Sequence, residues 1–197
     1  MRKKLRSQKG FTLIELIVAV GIMLILAAVA TPLLLGHIKD SKVSNVNEQL
    51  LNVKSAFDSY FTKNNGLISD SDSDEDFLDE MIDAGWISND PSRHNLTWTV
   101  KSYTDSGKTA YYVHITNNPD GTSPDSDGYN YITAINDDVD KIVDGGDTAD
   151  GDTGAYQFAE KDADSDGEND TLNACFLLYQ ESGMSAWHDS GENTDCG

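Results

Sequence analysis

The sequence predicts an α+β protein in which a long N-terminal helix, anchor below and spine above, packs on an antiparallel β-sheet head. Three observations predict it. From Phe11 to Gly36, twenty-six residues carry a single charge, Glu15. From Val43 to Tyr60, apolar residues recur at the spacing of one helical stripe. Beyond Leu96, short runs rich in Thr, Val and Tyr are separated by Asp-, Asn- and Gly-rich turns, the pattern of strands.

The apolar run comes first. As a helix it would reach roughly 39 Å, enough to cross a bilayer. Arg2, Lys3, Lys4, Arg6 and Lys9 precede Gly10 with no acid among them. Such a flank stays cytoplasmic, so everything after Gly36 is expected to face outward. Three plainer readings compete. One is an ordinary signal peptide cut at Ala28-Val29-Ala30; an acid inside a core longer than ~7–15 residues weighs against it. Another is a simple anchor that tolerates Glu15 near the interface. The last treats Gly21 and Pro32 as accidents of a membrane helix.

Glu15 decides among them. An intramembrane acid usually has a partner, yet no Lys, Arg or His lies between Phe11 and Gly36. A cut after Gly10 would give Phe11 a free α-amine four residues away, able to pair with Glu15 of the same or a neighbouring chain. The stretch Lys9-Gly10-Phe11-Thr12-Leu13-Ile14-Glu15-Leu16 resembles the type IV pilins and pseudopilins, over roughly the first sixty residues.

That resemblance implies removal of a basic leader between Gly10 and Phe11, N-methylation of Phe11, and contact of Glu15 with the N-terminus of an adjacent subunit. It also implies melting of the helix near Pro32 in the filament, where the proline removes a backbone donor. The implied partners are further copies joined through their N-terminal helices, a prepilin peptidase and N-methylase, and inner-membrane assembly machinery. Membrane lipid would surround the helix before assembly. The implied location is the bacterial inner membrane as precursor, then an extracellular pilus or an envelope pseudopilus.

Composition bounds the rest. Without the leader, nine Lys and Arg face 34 Asp and Glu, a formal charge of −25. Such a balance repels phosphate, so no nucleic-acid partner is expected. Cys175 and Cys196 are the two cysteines. An even pair beyond a membrane segment reads as one disulfide; two free buried thiols are the alternative.

The organisation follows as residues 1–10 leader, 11–36 membrane and filament-core helix, 37–65 amphipathic continuation and 66–197 head. Val43, Val46, Leu50, Val53, Phe57 and Tyr60 form the buried stripe, and Asn64-Asn65-Gly66 ends the helix. Ser73-x-x-Asp76 opens a short helix carrying Phe77, Leu78, Met81 and Ile82, stopped by Gly85. Strands are expected at Leu96–Val100, Thr109–Thr116, Tyr129–Ile135 and Leu172–Gln180, about four in all. Turns are expected at Asp105-Ser106-Gly107, Pro119-Asp120-Gly121 and Asn136-Asp137-Asp138, and a loop over Val139–Gly154.

No phosphate loop, H-E-x-x-H or G-x-S-x-G occurs, and His37, His94, His114 and His188 are scattered. No catalytic site is expected. One motif stands out: Asp162, Asp164, Asp166, Gly167 and Asp170 match positions 1, 3, 5, 6 and 9 of the EF-hand-type calcium loop. Glu168 would supply a backbone carbonyl at position 7. Asn173 replaces the bidentate Glu of position 12, and a solvated acidic loop is the alternative. Asp70-x-Asp72-x-Asp74 and Asp147 to Asp152 are weaker echoes, read as solvated.

Major pseudopilins resemble this chain in carrying a calcium loop of this kind, whereas the longer head and the cysteine pair resemble surface pilins. The expected function is a structural subunit of a type IV pilus-like filament. The alternatives are a type II secretion pseudopilin and, in a different class, a calcium-binding or adhesive anchored domain that never polymerises.

Overall fold

The computed structural model describes residues 10–64, 77–119, 123–144, 154–162 and 169–184. The chain divides into two units, residues 1–41 and 42–197. Helix α1 (Leu13–Lys63) contributes to both.

In the first unit the apolar side chains of α1 are exposed throughout, from Leu13 at 77% to Ile38 at 54%. The helix passes through Pro32 without a break. One turn before it, the Thr31 hydroxyl donates to the Ala27 carbonyl at 2.7 Å.

In the second unit the same helix changes character. Val43, Val46, Leu50, Val53 and Phe57 are buried, as the stripe requires, and Tyr60 is half-buried. Each such side chain stabilises the fold by about 1.5–3 kcal/mol through burial. Lys54 adds a polar tie: its Nζ donates to the Leu178 carbonyl at 3.1 Å and lies 5.6 Å from the Phe176 ring centre.

Helix α2 (Phe77–Asp83) buries Leu78 and Met81. Gly85, at φ 76°, ends it, and the Trp86 amide returns to the Met81 carbonyl at 2.9 Å. The Tyr60 hydroxyl donates to Glu80 Oε1 at 2.7 Å, joining α2 to α1. Burial first, then the Glu80 carboxylate, pushes the Tyr60 phenol up to about 12. The expected helix start at Ser73–Asp76 and the expected cap at Gly66 lie outside the described residues.

Four antiparallel strands make the sheet: β1 (Thr97–Asp105), β2 (Lys108–Thr116), β3 (Tyr156–Lys161) and β4 (Thr171–Gln180), in the order β1-β2-β4-β3. Ser106 and Gly107, both at positive φ, form the two-residue turn of the first hairpin. Trp98, Val100, Val113, Ile115, Leu172 and Phe176 join the helical stripe in one core.

The expected third strand is not a strand. Residues Ser126–Thr133 form helix α3, capped by Asp125, whose carboxylate accepts from the amides of Asp127 and Gly128. Gly128, Tyr131, Ile132 and Ile135 are buried at helical spacing. The expected turn at Asn136-Asp137-Asp138 is the start of helix α4 (Asn136–Asp144). The helix buries Asn136, Val139 and Asp140. It therefore occupies the beginning of what reads as a loop. β3 takes the strand place that Tyr129–Ile135 was expected to fill. The Asp144 carboxylate sets its start, accepting from the amides of Ala155 at 3.0 Å and Tyr156 at 2.8 Å.

Candidate functional site: the anchor start and the hairpin loop

Gly10, Phe11 and Thr12 precede the first turn of α1, and the Phe11 side chain is 85% exposed. Thr12 caps the helix: its Oγ1 accepts from the Glu15 amide at 3.3 Å and its carbonyl from the Leu16 amide at 3.3 Å. Glu15 thus stands in the first turn, where the helix dipole favours a negative charge. Sequence reasoning missed the role of Thr12. Its signal was present, because Thr12-x-x-Glu15 before an apolar run is the capping-box pattern.

The geometry therefore places an exposed chemical junction, Gly10-Phe11, one residue before a capped helix. Glu15 follows within a turn, and α1 is long and apolar enough to cross a membrane. No partner for the Glu15 carboxylate comes from the apolar residues that follow it.

The second predicted site lies in the β3–β4 hairpin. The Asp170 amide donates to the Lys161 carbonyl at 3.0 Å, so Asp162 and Asp170 stand at the two ends of one loop mouth. Asn117 pins that mouth. Its Nδ2 donates to the carbonyls of Asp170 at 2.9 Å and Asp125 at 3.0 Å, and its Oδ1 accepts from the Leu172 amide at 2.8 Å. The Asp170 carboxylate accepts from the Thr171 hydroxyl at 3.3 Å.

Asp164, Asp166, Gly167 and Glu168 lie outside the described residues. Asn173, the twelfth position, belongs to β4; it is 7% exposed, with its Oδ1 3.2 Å from His114 Nε2. Its side chain serves the sheet. Among the described residues, no group of three or more His, Cys, Asp or Glu could hold a metal ion.

Cys175 is fully buried in β4 and is not a free cysteine. Cys196, its expected partner, lies outside the described residues.

An exposed apolar helix carrying one acid in its first turn, and an antiparallel sheet packed on a helical stripe, make up a pilin-like α+β fold. Comparison with known proteins agrees. The prokaryotic N-terminal methylation motif matches residues 5–31. Fimbrial protein EcpB of Eikenella corrodens is 43% identical over 53 residues, which cover 27% of this chain and 33% of that protein. The chain thus spans about a third of the length of the curated relative it matches. No solved structure matches the chain. Motif and relative together support a type IV pilin-like family.

Proposed function

We propose that the chain is a structural subunit of a type IV pilus-like filament, processed after Gly10 and polymerised through its N-terminal apolar helix. One observation carries the reading: Glu15 is a lone acid in an apolar first turn, four residues from the α-amine that cleavage would create at Phe11. The methylation motif over residues 5–31 supports the same junction. A non-polymerising anchored domain has no use for this pair. Intact-mass analysis and electron microscopy of producing cells test it. The expected mature chain begins at N-methylated Phe11 and is found in filaments. A chain that keeps Met1, or starts at Thr31, would remove the basis for assembly.

A pseudopilin whose filament stays in the envelope is the second reading. The paired Asp162 and Asp170 at the hairpin mouth favour it, because they are the first and ninth positions of the calcium pattern. In this reading Asp162, Asp164, Asp166 and Asp170, with the Glu168 carbonyl, hold calcium, and the cation relieves the repulsion among the four carboxylates. Because Asn173 faces His114, water would complete the shell, and affinity is expected on the order of 10⁻⁴–10⁻³ M. Calcium at millimolar concentration should raise the melting temperature of the head. An unchanged melting temperature together with no calorimetric binding would leave a solvated acidic loop.

The head is also proposed to be closed by a Cys175–Cys196 disulfide, which at this loop length contributes about 3 kcal/mol in the chain-entropy model. Non-reducing peptide mapping should recover the two cysteines in one linked peptide pair. Recovery of two separate alkylated peptides from exported protein would refute the bond.

A further inference from the structure

A recess of about 380 Å³ opens where the head begins, lined by Lys42, His94, Asn95, Asp127, Asn130 and Tyr131. All six belong to the second unit of the chain. Two nitrogen-bearing side chains meet on the ring of Tyr131. His94 stacks on it at 4.2 Å and 11°, and Lys42 Nζ lies 4.7 Å from its centre. His94 and Asn95 both sit at positive φ, 57° and 58°, a region that His and Asn enter more readily than most residues. Asn95 Nδ2 holds their turn to the start of α3 by donating to Asp125 Oδ1 at 3.1 Å.

The polar groups of the recess are unspent. Among the described residues Lys42 makes no salt bridge and the His94 ring nitrogens no hydrogen bond. With 34 Asp and Glu against 14 Lys and Arg, a half-buried ammonium left without a carboxylate is out of keeping with the chain. Asp125 is committed, accepting from the amides of Asp127 and Gly128 and from Asn95. The exposed Asp127 carboxylate makes no such bond among the described residues.

An ammonium, an imidazole, two side-chain amides and one carboxylate thus line the same opening. Such a set is complementary to a zwitterion that joins a phosphate to an amine. The nitrogen groups donate to phosphate oxygens, and the carboxylate accepts from the amine. An anion alone would meet Asp127, and a cation alone would meet Lys42.

Chain length says which zwitterion is at hand. Six residues lead from Gly36, the end of the apolar run, to Lys42. The recess therefore stays within about 21 Å of that run, whatever conformation the residues between adopt. The headgroup layer is about 5–8 Å deep on each side of the hydrocarbon. With α1 in a bilayer, the recess is tethered beside that layer, which favours a lipid over a soluble ligand of the same chemistry. A tyrosine ring suits the same interface.

We propose that before assembly this recess seats the phosphoethanolamine headgroup of a phospholipid from the bilayer that holds α1. Lys42, His94 and the two asparagines take the phosphate, and Asp127 takes the ammonium. The contact selects which end of an otherwise acidic head meets the membrane. It rests on the reading of α1 as a membrane span.

The test uses the full chain in lipid nanodiscs, with hydroxyl-radical labelling of His94 read relative to Tyr103, near the far end of β1. Co-elution with lipid reports insertion separately. A chain that does not insert removes the membrane reading and this proposal with it, whereas one that inserts without protection overturns this proposal alone. His94 labelling should fall several-fold in discs of mixed phosphatidylethanolamine and phosphatidylglycerol relative to nonionic detergent. Discs of phosphatidylglycerol alone should protect much less, since the amine is missing and Asp127 repels the anion. Lys42→Glu should abolish the protection in the mixed discs. Equal protection in the two kinds of disc, or protection that survives Lys42→Glu, would show plain shielding by the bilayer and overturn the proposal. Protection in detergent by millimolar free phosphoethanolamine would overturn it too, by showing a site for a soluble ligand.

Discussion

Glu15→Ala is expected to leave membrane insertion intact and to lower incorporation into filaments at least about tenfold. Insertion survives because the substitution removes a charge from an apolar helix, which lowers the cost of entering the bilayer. Assembly is another matter. In the filament proposed above, the α-amine that processing would free at Phe11 is the cation that would meet the carboxylate. Removing one partner of a buried pair strands the other, at about 3–5 kcal/mol, and every 1.4 kcal/mol is a factor of ten.

The capping geometry offers a competing account, in which Glu15 merely favours the helix N-terminus. That interaction is worth only about 0.3–1 kcal/mol at an exposed site. Thr12 still caps the helix in the variant, since the bond runs from the residue-15 backbone amide to Thr12 Oγ1. The two accounts therefore part on magnitude. Filament yield from cells making only Glu15→Ala chains, with membrane-fraction levels as control, separates them. Normal yield would leave Glu15 as an acid favoured only by the helix dipole and end its pairing role.

The parts of the fold that were legible are those where one physical period dominates. The stripe from Val43 to Phe57 has no rival reading, because its apolar positions keep helical spacing through an otherwise polar segment. The strands around Trp98, Val113 and Phe176 were legible for the same reason, with a period of two. Tyr129 to Ile135 satisfies both periods. Tyr129, Tyr131, Thr133 and Ile135 alternate as strand formers, while Gly128, Tyr131, Ile132 and Ile135 keep a helical spacing.

Tertiary contact decides that case. A Cβ at Gly128 would lie 2.5 Å from the Asn95 carbonyl oxygen, so α3 packs there by virtue of that glycine. Asn95 is itself held at φ 58° with His94 at φ 57° before it, and its amide donates to the capping Asp125. None of this is visible in a window of ten residues. Asp125 after Pro124 was the available local signal for a helix start. The candidate anchor site was more legible because it depends on residues adjacent in the chain, Gly10 through Glu15. Even there, the cap at Thr12 was overlooked in favour of the acid. The hairpin mouth depends on Asn117, more than fifty residues from the Leu172 amide it accepts.

Asn117→Ala should destabilise the head by about 3–5 kcal/mol, from three buried groups at ~1–3 kcal/mol each, discounted because water reaches some of them. The side chain is 1% exposed and serves three backbone groups at once, the carbonyls of Asp125 and Asp170 and the amide of Leu172. It therefore fastens the start of α3, the end of the β3–β4 loop and the first residues of β4 to the end of β2. Asn118 binds the same region, its Nδ2 donating to the Thr171 hydroxyl at 3.2 Å and its Oδ1 accepting from the Ser123 amide at 3.2 Å. Asn117→Asp is the informative companion. It keeps an acceptor for the Leu172 amide but turns both donations into carboxylate–carbonyl repulsion, so it should be no better than alanine at neutral pH. Protonating that aspartate at low pH restores a donor and should recover part of the loss. Denaturant unfolding of the head from Lys42 onward measures all three chains. A cost below about 1 kcal/mol for Asn117→Ala, the worth of one ordinary hydrogen bond, would mean that neighbouring polar groups or water take over its partners and that the hairpin mouth is held elsewhere.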